Sequence, residues 1–130
     1  MDPRSVAERL VNLISERRFD EAFRLYADDV VVEVPYAYRT PSRFDGAATI
    51  REHFGRAADG PLVLRARDLV VHETGDPELV VAEWDYEVTA KETGRTARVA
   101  NVQFLRVRDG LVVHSRDFHD HRRLAELVAQ

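Results

Sequence analysis

The segment RTARVANVQFLRVRDGLVVHSRDF, residues 95–118, consists of two apolar runs on either side of Asp109-Gly110. Valine, leucine and phenylalanine are frequent in both runs, which is typical of β-strands. Glycine readily adopts the positive φ that a tight hairpin turn requires. We therefore predict an antiparallel hairpin with strands at Arg95–Arg108 and Leu111–Phe118.

Two further runs of the same kind precede this hairpin, at Leu62–His72 and Leu79–Ala90. Glycine-containing segments separate them, and a short turn at Thr93-Gly94 leads into the hairpin. The second half of the chain therefore predicts four antiparallel strands in succession.

The first sixty residues carry helical patterns instead. Apolar residues recur at helical spacing over 3–17, behind an early proline, and again over 19–27. The strand-like run 30–32 follows, and a third helix is predicted after Gly46. Helices followed by a meandering sheet indicate an α+β fold rather than alternating βαβ units.

The composition of the 130 residues is that of a globular chain, with 45% apolar and 32% charged residues. We expect one domain spanning residues 1–130. A net charge of −4 with scattered arginines gives no basic face for a nucleic-acid partner. The absence of cysteine excludes disulfides and thiolate metal sites.

No run approaches the roughly 20 apolar residues that a membrane-spanning helix needs. The first residues, MDPRS, also lack the apolar core of a signal peptide. We therefore expect a cytoplasmic protein without a membrane partner.

Four stretches resemble the SnoaL-like branch of the nuclear transport factor 2-like superfamily: residues 19–30 (FDEAFRLYADDV), 33–36 (EVPY), Gly46 with Ile50, and 107–112 (VRDGLV). The resemblance implies a cone-shaped, cystatin-like fold. In it, a strongly curved mixed or antiparallel sheet wraps around N-terminal helices and leaves a pocket. It also implies a homodimer. The superfamily includes isomerases, cyclases, dehydratases, epoxide hydrolases and non-catalytic binders, so the fold does not select the reaction.

Individual branches match this sequence to different degrees. Ketosteroid isomerases need a tyrosine and two aspartates where this chain has Leu10, Val34 and Val102, which argues against that chemistry. Limonene-epoxide hydrolases are similar over 116–120 (RDFHD), but Glu83 stands near the place of their arginine.

The phenazine-biosynthesis A/B proteins look closer. Their pocket acid is a glutamate, and this chain has the similar residue Asp117 at that position. Their helix-three histidine matches His53. Residues 73–77 (ETGDP) also look like one of their turns, whereas Ala57 stands at their pocket serine.

If Asp109-Gly110 forms a two-residue turn and the strands pair regularly on either side of it, Val102 lies opposite Asp117 and Phe104 lies opposite Ser115. These four side chains would then share one face of the sheet. An isolated carboxylate among apolar neighbours is desolvated, which raises its pKa towards the range useful for acid/base chemistry. Asp117 is therefore the first candidate catalytic acid or base. The alternative is a structural aspartate that caps the next helix or pairs with an arginine.

His53 lies on the helical face that carries Ile50, Phe54 and Ala57, so it is predicted to point towards the sheet. It is the candidate partner of Asp117 in proton transfer, and the alternative is a packed core histidine.

Tyr36 and Tyr38 follow Pro35 at the end of the first strand. Tyr36 is a candidate donor to a substrate oxygen, and aromatic packing at the pocket mouth is the alternative. Alternation along the strand 79–90 is predicted to place Trp84 and Tyr86 inside. The predicted substrate-binding residues are Tyr38, Trp84, Tyr86, Val102, Phe104 and Ser115.

The cluster of histidines and aspartates over 114–121 raises the question of a metal site. Alternation places His114 opposite Asp117 and no second ligand set is evident, so we predict no metal and no other cofactor.

The sequence predicts a cofactor-independent isomerase, cyclase or lyase that acts on a small hydrophobic carbonyl or polyketide-like metabolite. Two alternatives stay open. They are an epoxide hydrolase in which Asp117 activates water, and a non-catalytic ligand-binding dimer module.

Overall fold

The computed structural model describes residues 1–37 and 39–128 and shows an α+β fold. The helices are α1 (Pro3–Ser15), α2 (Phe19–Phe23), α3 (Ala47–Ala58) and α4 (His121–Val128). The strands are β1 (Tyr26–Val34), β2 (Ser42–Asp45), β3 (Leu62–Glu73), β4 (Leu79–Ala90), β5 (Thr96–Arg108) and β6 (Leu111–His119).

The six strands form one curved, unclosed sheet in the order β2-β1-β6-β5-β4-β3. The β1–β6 pair is parallel, and the other neighbours are antiparallel. The four predicted strands after residue 60 are therefore confirmed, and they pair in the predicted antiparallel succession.

Helix α1 begins at a proline and is capped by Asp2, whose carboxylate accepts from the Ser5 N–H at 2.8 Å. Its apolar face is buried against the sheet, and the Ser15 hydroxyl accepts from the Ala66 N–H of β3 at 2.9 Å. The fully buried members of this face include Val6 and Leu10. The helix thus covers one part of the sheet and leaves the rest of its inner face for a cavity.

Two elements of the first half differ from the prediction. Helix α2 ends at Phe23, four residues early, because the Leu25 carbonyl accepts from the Val112 N–H at 2.8 Å and β1 begins at Tyr26. The short edge strand β2 was not predicted. It pairs with β1, where Val34 lies opposite Ser42.

The observed pairing of β5 with β6 differs from the pairing that we predicted by counting residues from the turn. The turn itself has the predicted form, with Asp109 at φ 53° and Gly110 at φ 77°. However, Val107 pairs with Val112 and Arg106 pairs with His114, so one extra residue forms a bulge in β6.

Because of the bulge, the β5 residues that lie opposite Asp117 and Ser115 differ from the predicted ones. Gln103 lies opposite Asp117 and Leu105 lies opposite Ser115. The predicted pairings with Val102 and Phe104 are therefore wrong, because a single inserted residue moves every later pair by one position.

Candidate functional site

A cavity of about 490 Å³ lies between the inner face of the sheet and helices α1, α3 and α4. Most of its wall is apolar, and Asp117 is its one carboxylate among the described residues. Such a cavity suits a largely apolar molecule with few polar contacts. The polar members of the wall are Tyr26, Ser42, His53, Arg56, Trp84, Tyr86, Asn101, Gln103, Asp117, His119 and His121.

The Asp117 carboxyl group accepts its two hydrogen bonds through the same oxygen. Its Oδ1 accepts hydrogen bonds from Gln103 Nε2, at 2.8 Å, and from the Ser115 hydroxyl. Within residues 1–37 and 39–128, no hydrogen bond reaches Oδ2. Burial raises the pKa of Asp117, and the bonds from Ser115 and Gln103 counteract part of that rise. The group is thus anchored while one oxygen remains free for proton exchange.

His53 projects from α3 into the same cavity. Its ring packs against Phe44, with ring centroids 5.0 Å apart, and against Phe54, at 6.0 Å. Burial and the positive charge of Arg56 lower the pKa of His53, whereas the Asp117 carboxylate opposes this shift. The imidazole is therefore neutral at pH 7 and is able to accept or donate a proton.

Two buried tyrosines also face the cavity. Burial raises the pKa of Tyr26 and Tyr86, and the negative charge of Asp117 adds to both shifts. Both phenols therefore stay protonated at neutral pH, and a protonated phenol is able to donate a hydrogen bond to a bound molecule.

A row across β4, β5 and β6 consists of the buried Trp84 and Asn101 and the half-buried His119. Asn101 Nδ2 donates to the Val99 carbonyl at 2.9 Å, which turns its Oδ1 towards His119 Nδ1 at 2.6 Å. His119 therefore donates through Nδ1 and keeps Nε2 as an acceptor. Burial lowers the pKa of His119 to about 4, so this ring is neutral at pH 7.

Three buried polar atoms of cavity-lining residues have no hydrogen-bond partner within the described part of the chain: Trp84 Nε1, Gln103 Oε1 and His121 Nε2. The Trp84 N–H lies near the Tyr86 hydroxyl and lowers the pKa of that phenol, but it does not reach hydrogen-bond geometry. Unpaired buried polar atoms are rare in folded proteins and point to partners that are absent from the free chain.

The lowered pKa of His119 predicts a loss of stability in acid. The unfolded chain binds a proton at this histidine near pH 6.5 and the folded chain near pH 4, so the free energy of unfolding falls as the pH drops between these values. We expect about 2 kcal/mol to be lost between pH 7 and pH 5.

Urea unfolding at several pH values measures this loss, and His119→Gln should flatten the profile. The lowered pKa values of His53 and His121 act in the same direction, whereas the raised pKa of Asp117 acts in the opposite one. A variant profile as steep as that of the wild type would contradict the assignment to His119.

Four side chains named from the sequence line the cavity: His53, Trp84, Tyr86 and Asp117. Ser115 is fully buried and bonds to Asp117 without lining the cavity. Tyr38 lies outside the described residues.

Three other named residues do not line the cavity. Phe104 is 37% exposed on the outer face opposite Arg116, and Val102 lies opposite Phe118 on that face because of the β6 bulge. Tyr36 is 73% exposed, because the turn after Pro35 directs it outwards, and its ring centroid lies 5.3 Å from that of Phe118. Tyr36 is therefore not positioned to contact a substrate oxygen in this cavity.

The structural alternative for Asp117 was that it caps the following helix, but it does not cap α4. Asp120 does so instead, since its Oδ1 accepts from the Arg123 N–H at 3.0 Å. Asp117 also forms no ion pair with an arginine among the described residues.

Sequence reasoning missed seven of these polar wall residues: Tyr26, Ser42, Arg56, Asn101, Gln103, His119 and His121. A signal was present for two of them, because Asn101 and Gln103 alternate with surface residues in a strand whose inner positions are otherwise apolar. Tyr26 continued the helical spacing of α2 and gave no sign that it begins a strand.

Among the described residues, no group of three or more histidine, aspartate or glutamate side chains is arranged to hold a metal ion. None of the described helices combines the length and the apolar character that crossing a membrane requires.

Comparison with known proteins gives one family and several similar structures. The family described as "SnoaL-like domain" matches residues 7–115. An uncharacterized PhzA/B-like protein of Pseudomonas aeruginosa is 33% identical over 107 residues, which are 80% of this chain and 74% of that protein.

Two crystal structures share the fold across nearly the whole chain. A candidate isomerase of Bacillus subtilis superposes with a TM-score of 0.87 at 23% identity, covering 96% of this chain and 91% of that one. A candidate polyketide cyclase of Xanthomonas campestris gives a TM-score of 0.83 at 18% identity, covering 98% and 96%.

Proposed function

Since the chain belongs to the SnoaL-like domain family, we propose that it is a cofactor-independent acid/base enzyme of the isomerase, cyclase or lyase type. Its substrate is a small hydrophobic carbonyl or polyketide-like compound that binds in the cavity. The observation that carries the proposal is the Asp117 carboxyl in a mostly apolar wall, anchored through Oδ1 and without a hydrogen bond from the described residues at Oδ2. The similar structures support the fold of such an enzyme, and the site supports the chemistry.

In the proposed reaction, Asp117 removes a proton from the carbon next to the carbonyl group. Burial raises its pKa, which makes the carboxylate a stronger base than an exposed one. His53 exchanges the proton with Asp117 or with the substrate, since its ring is neutral at pH 7. Tyr26 and Tyr86 are the donors for negative charge that develops on the substrate oxygen.

The epoxide-hydrolase alternative loses support from the site. That arrangement uses an arginine between two acids, whereas Asp117 is the one carboxylate of the wall among the described residues. Glu83, at the approximate place of the arginine, is exposed and lies 3.2 Å from His72.

The test is hydrogen exchange in D₂O with a panel of hydrophobic cyclic ketones, followed by mass spectrometry. We expect the protein to accelerate deuterium uptake next to the carbonyl of at least one ketone. Calorimetric binding of these ketones without any acceleration over buffer would favour the non-catalytic binding module instead.

We also propose a homodimer in the cytoplasm. An aromatic patch made of Tyr36, Phe104 and Phe118 lies on the outer face of the sheet, with the Arg116 guanidinium 5.4 Å from the Phe118 ring centroid. A second copy of the chain would remove this patch from water.

Sedimentation at micromolar concentration should give about twice the chain mass of 14.9 kDa. Phe104→Asp should shift the protein towards the monomer, because it places a charge in the patch. Val128→Asp, at an exposed position of α4, is the matched control and should leave the mass unchanged. A wild-type monomer at this concentration would refute the dimer.

A further inference from the structure

The polar end of the cavity contains an unused donor and an unused acceptor. Trp84 and Gln103 are each 5% exposed, and both line the cavity. Among the described residues, the Trp84 Nε1–H has no acceptor in hydrogen-bond geometry, and Gln103 Oε1 has no donor. Both are buried atoms of cavity-lining residues, and an unpaired buried polar atom is a candidate contact for a polar group that a ligand brings.

The chemistry of each atom is fixed by its surroundings. The indole N–H is a donor only. Gln103 Nε2 is already committed to Asp117 Oδ1 at 2.8 Å, so the other atom of that amide is a carbonyl oxygen that only accepts. The site therefore offers a ligand one donor and one acceptor, without a formal charge on either.

The two atoms belong to neighbouring positions of one sheet face. Trp84 pairs with Asn101 across β4 and β5, and Gln103 is two residues further along β5. The two side chains are thus diagonal neighbours on one face, a spacing at which long and aromatic side chains reach each other.

We infer that Trp84 and Gln103 together recognise a neutral hydroxyl group, of an alcohol, phenol or enol, on the hydrophobic ligand. Its oxygen accepts from Trp84 Nε1–H and its hydrogen is donated to Gln103 Oε1. This rests on the proposed function in that the ligand occupies the same cavity. It goes beyond it by specifying a second functional group, in addition to the carbonyl, that the ligand presents to Trp84 and Gln103.

A ketone satisfies this pair only in part. Its oxygen accepts from Trp84, but it brings no hydrogen for Gln103 Oε1, which stays unpaired. An oxyanion is also disfavoured, because it would face the Gln103 carbonyl oxygen. Sites built around buried polar groups discriminate strongly against ligands that leave one of them unpaired.

The test compares two probes with one carbon skeleton, decahydro-2-naphthol and 2-decalone, by isothermal titration calorimetry. We expect the wild type to bind the alcohol about tenfold or more tightly than the ketone. Gln103→Met keeps the shape but removes the acceptor, so the ratio of the two dissociation constants should approach one. Trp84→Phe should weaken both probes and retain the preference for the alcohol.

A second readout needs no variant. Trp84 is the single tryptophan of the chain, so its indole N–H gives one cross-peak in a ¹H–¹⁵N spectrum. Both probes should move this peak downfield as the N–H gains an acceptor. An unmoved peak on saturation with the alcohol would overturn the inference.

The failure of this inference is distinguishable from failure of the proposed function. Equal affinities for the alcohol and the ketone, or an unchanged ratio in Gln103→Met, would overturn the hydroxyl assignment while leaving a hydrophobic cavity that binds ligands. Absence of binding by both probes would contradict the inference and the proposed ligand site together.

Discussion

Replacing Asp117 with asparagine should reduce ketone hydrogen exchange by about 10²- to 10⁴-fold, the usual contribution of a general acid or base. The amide matches the carboxylate in size and still accepts from Ser115 and Gln103 through its oxygen, but it cannot take up and release a proton. Deuterium uptake in D₂O, measured for the ketone that the wild type exchanges fastest, gives the ratio of rates.

The fold should survive this change. A desolvated carboxylate is costly to bury, and a neutral amide is less so. We therefore expect the melting temperature of Asp117→Asn to equal or exceed that of the wild type. A loss of rate without a loss of stability separates the acid/base role from a structural one.

Asp120→Asn is the matched control. It makes the same chemical change three residues away, and asparagine is as good a helix cap as aspartate. Its exchange rate should remain that of the wild type. Full activity in Asp117→Asn, or an equal loss in Asp120→Asn, would contradict the assignment of Asp117.

The inward position of Asp117 was predicted from the sequence for a reason that is only partly right. The turn at Asp109-Gly110 and the alternation along β6 correctly place Ser115 and Asp117 on one face. The partners across the hairpin are wrong, because no residue type in the run LVVH marks a bulge. A bulge is associated with the twist and curvature of the whole sheet rather than with a local sequence signal.

The same limit explains which parts of the cavity wall were missed. Local patterns predict elements, and they predicted the four long strands and α1 well. They do not show that α4 folds back so that His121 reaches the cavity, or that Tyr26 begins β1, since both depend on contacts between distant parts of the chain. The hydrogen bond between Asn101 and His119 depends on the bulged register in the same way.

The substitution with the largest expected loss of stability, Leu105→Ala, should distinguish the observed pairing of β5 with β6 from the regular pairing predicted from the turn. Leu105 is fully buried opposite Ser115, whereas Phe104 is 37% exposed. Leu105→Ala should therefore lower the free energy of unfolding by about 2–5 kcal/mol, through lost burial and the void left behind. A regular hairpin without the bulge would bury Phe104 instead and would make Phe104→Ala the costly change.

Urea unfolding of both variants decides between the two registers. We expect Phe104→Ala to cost about 1 kcal/mol or less within one chain. Any larger loss there should depend on protein concentration, because Phe104 belongs to the aromatic patch of the proposed dimer. A small loss in Leu105→Ala together with a large, concentration-independent loss in Phe104→Ala would contradict the bulged register. It would also remove Gln103 from its place beside Asp117, because Gln103 and Leu105 share one face of β5.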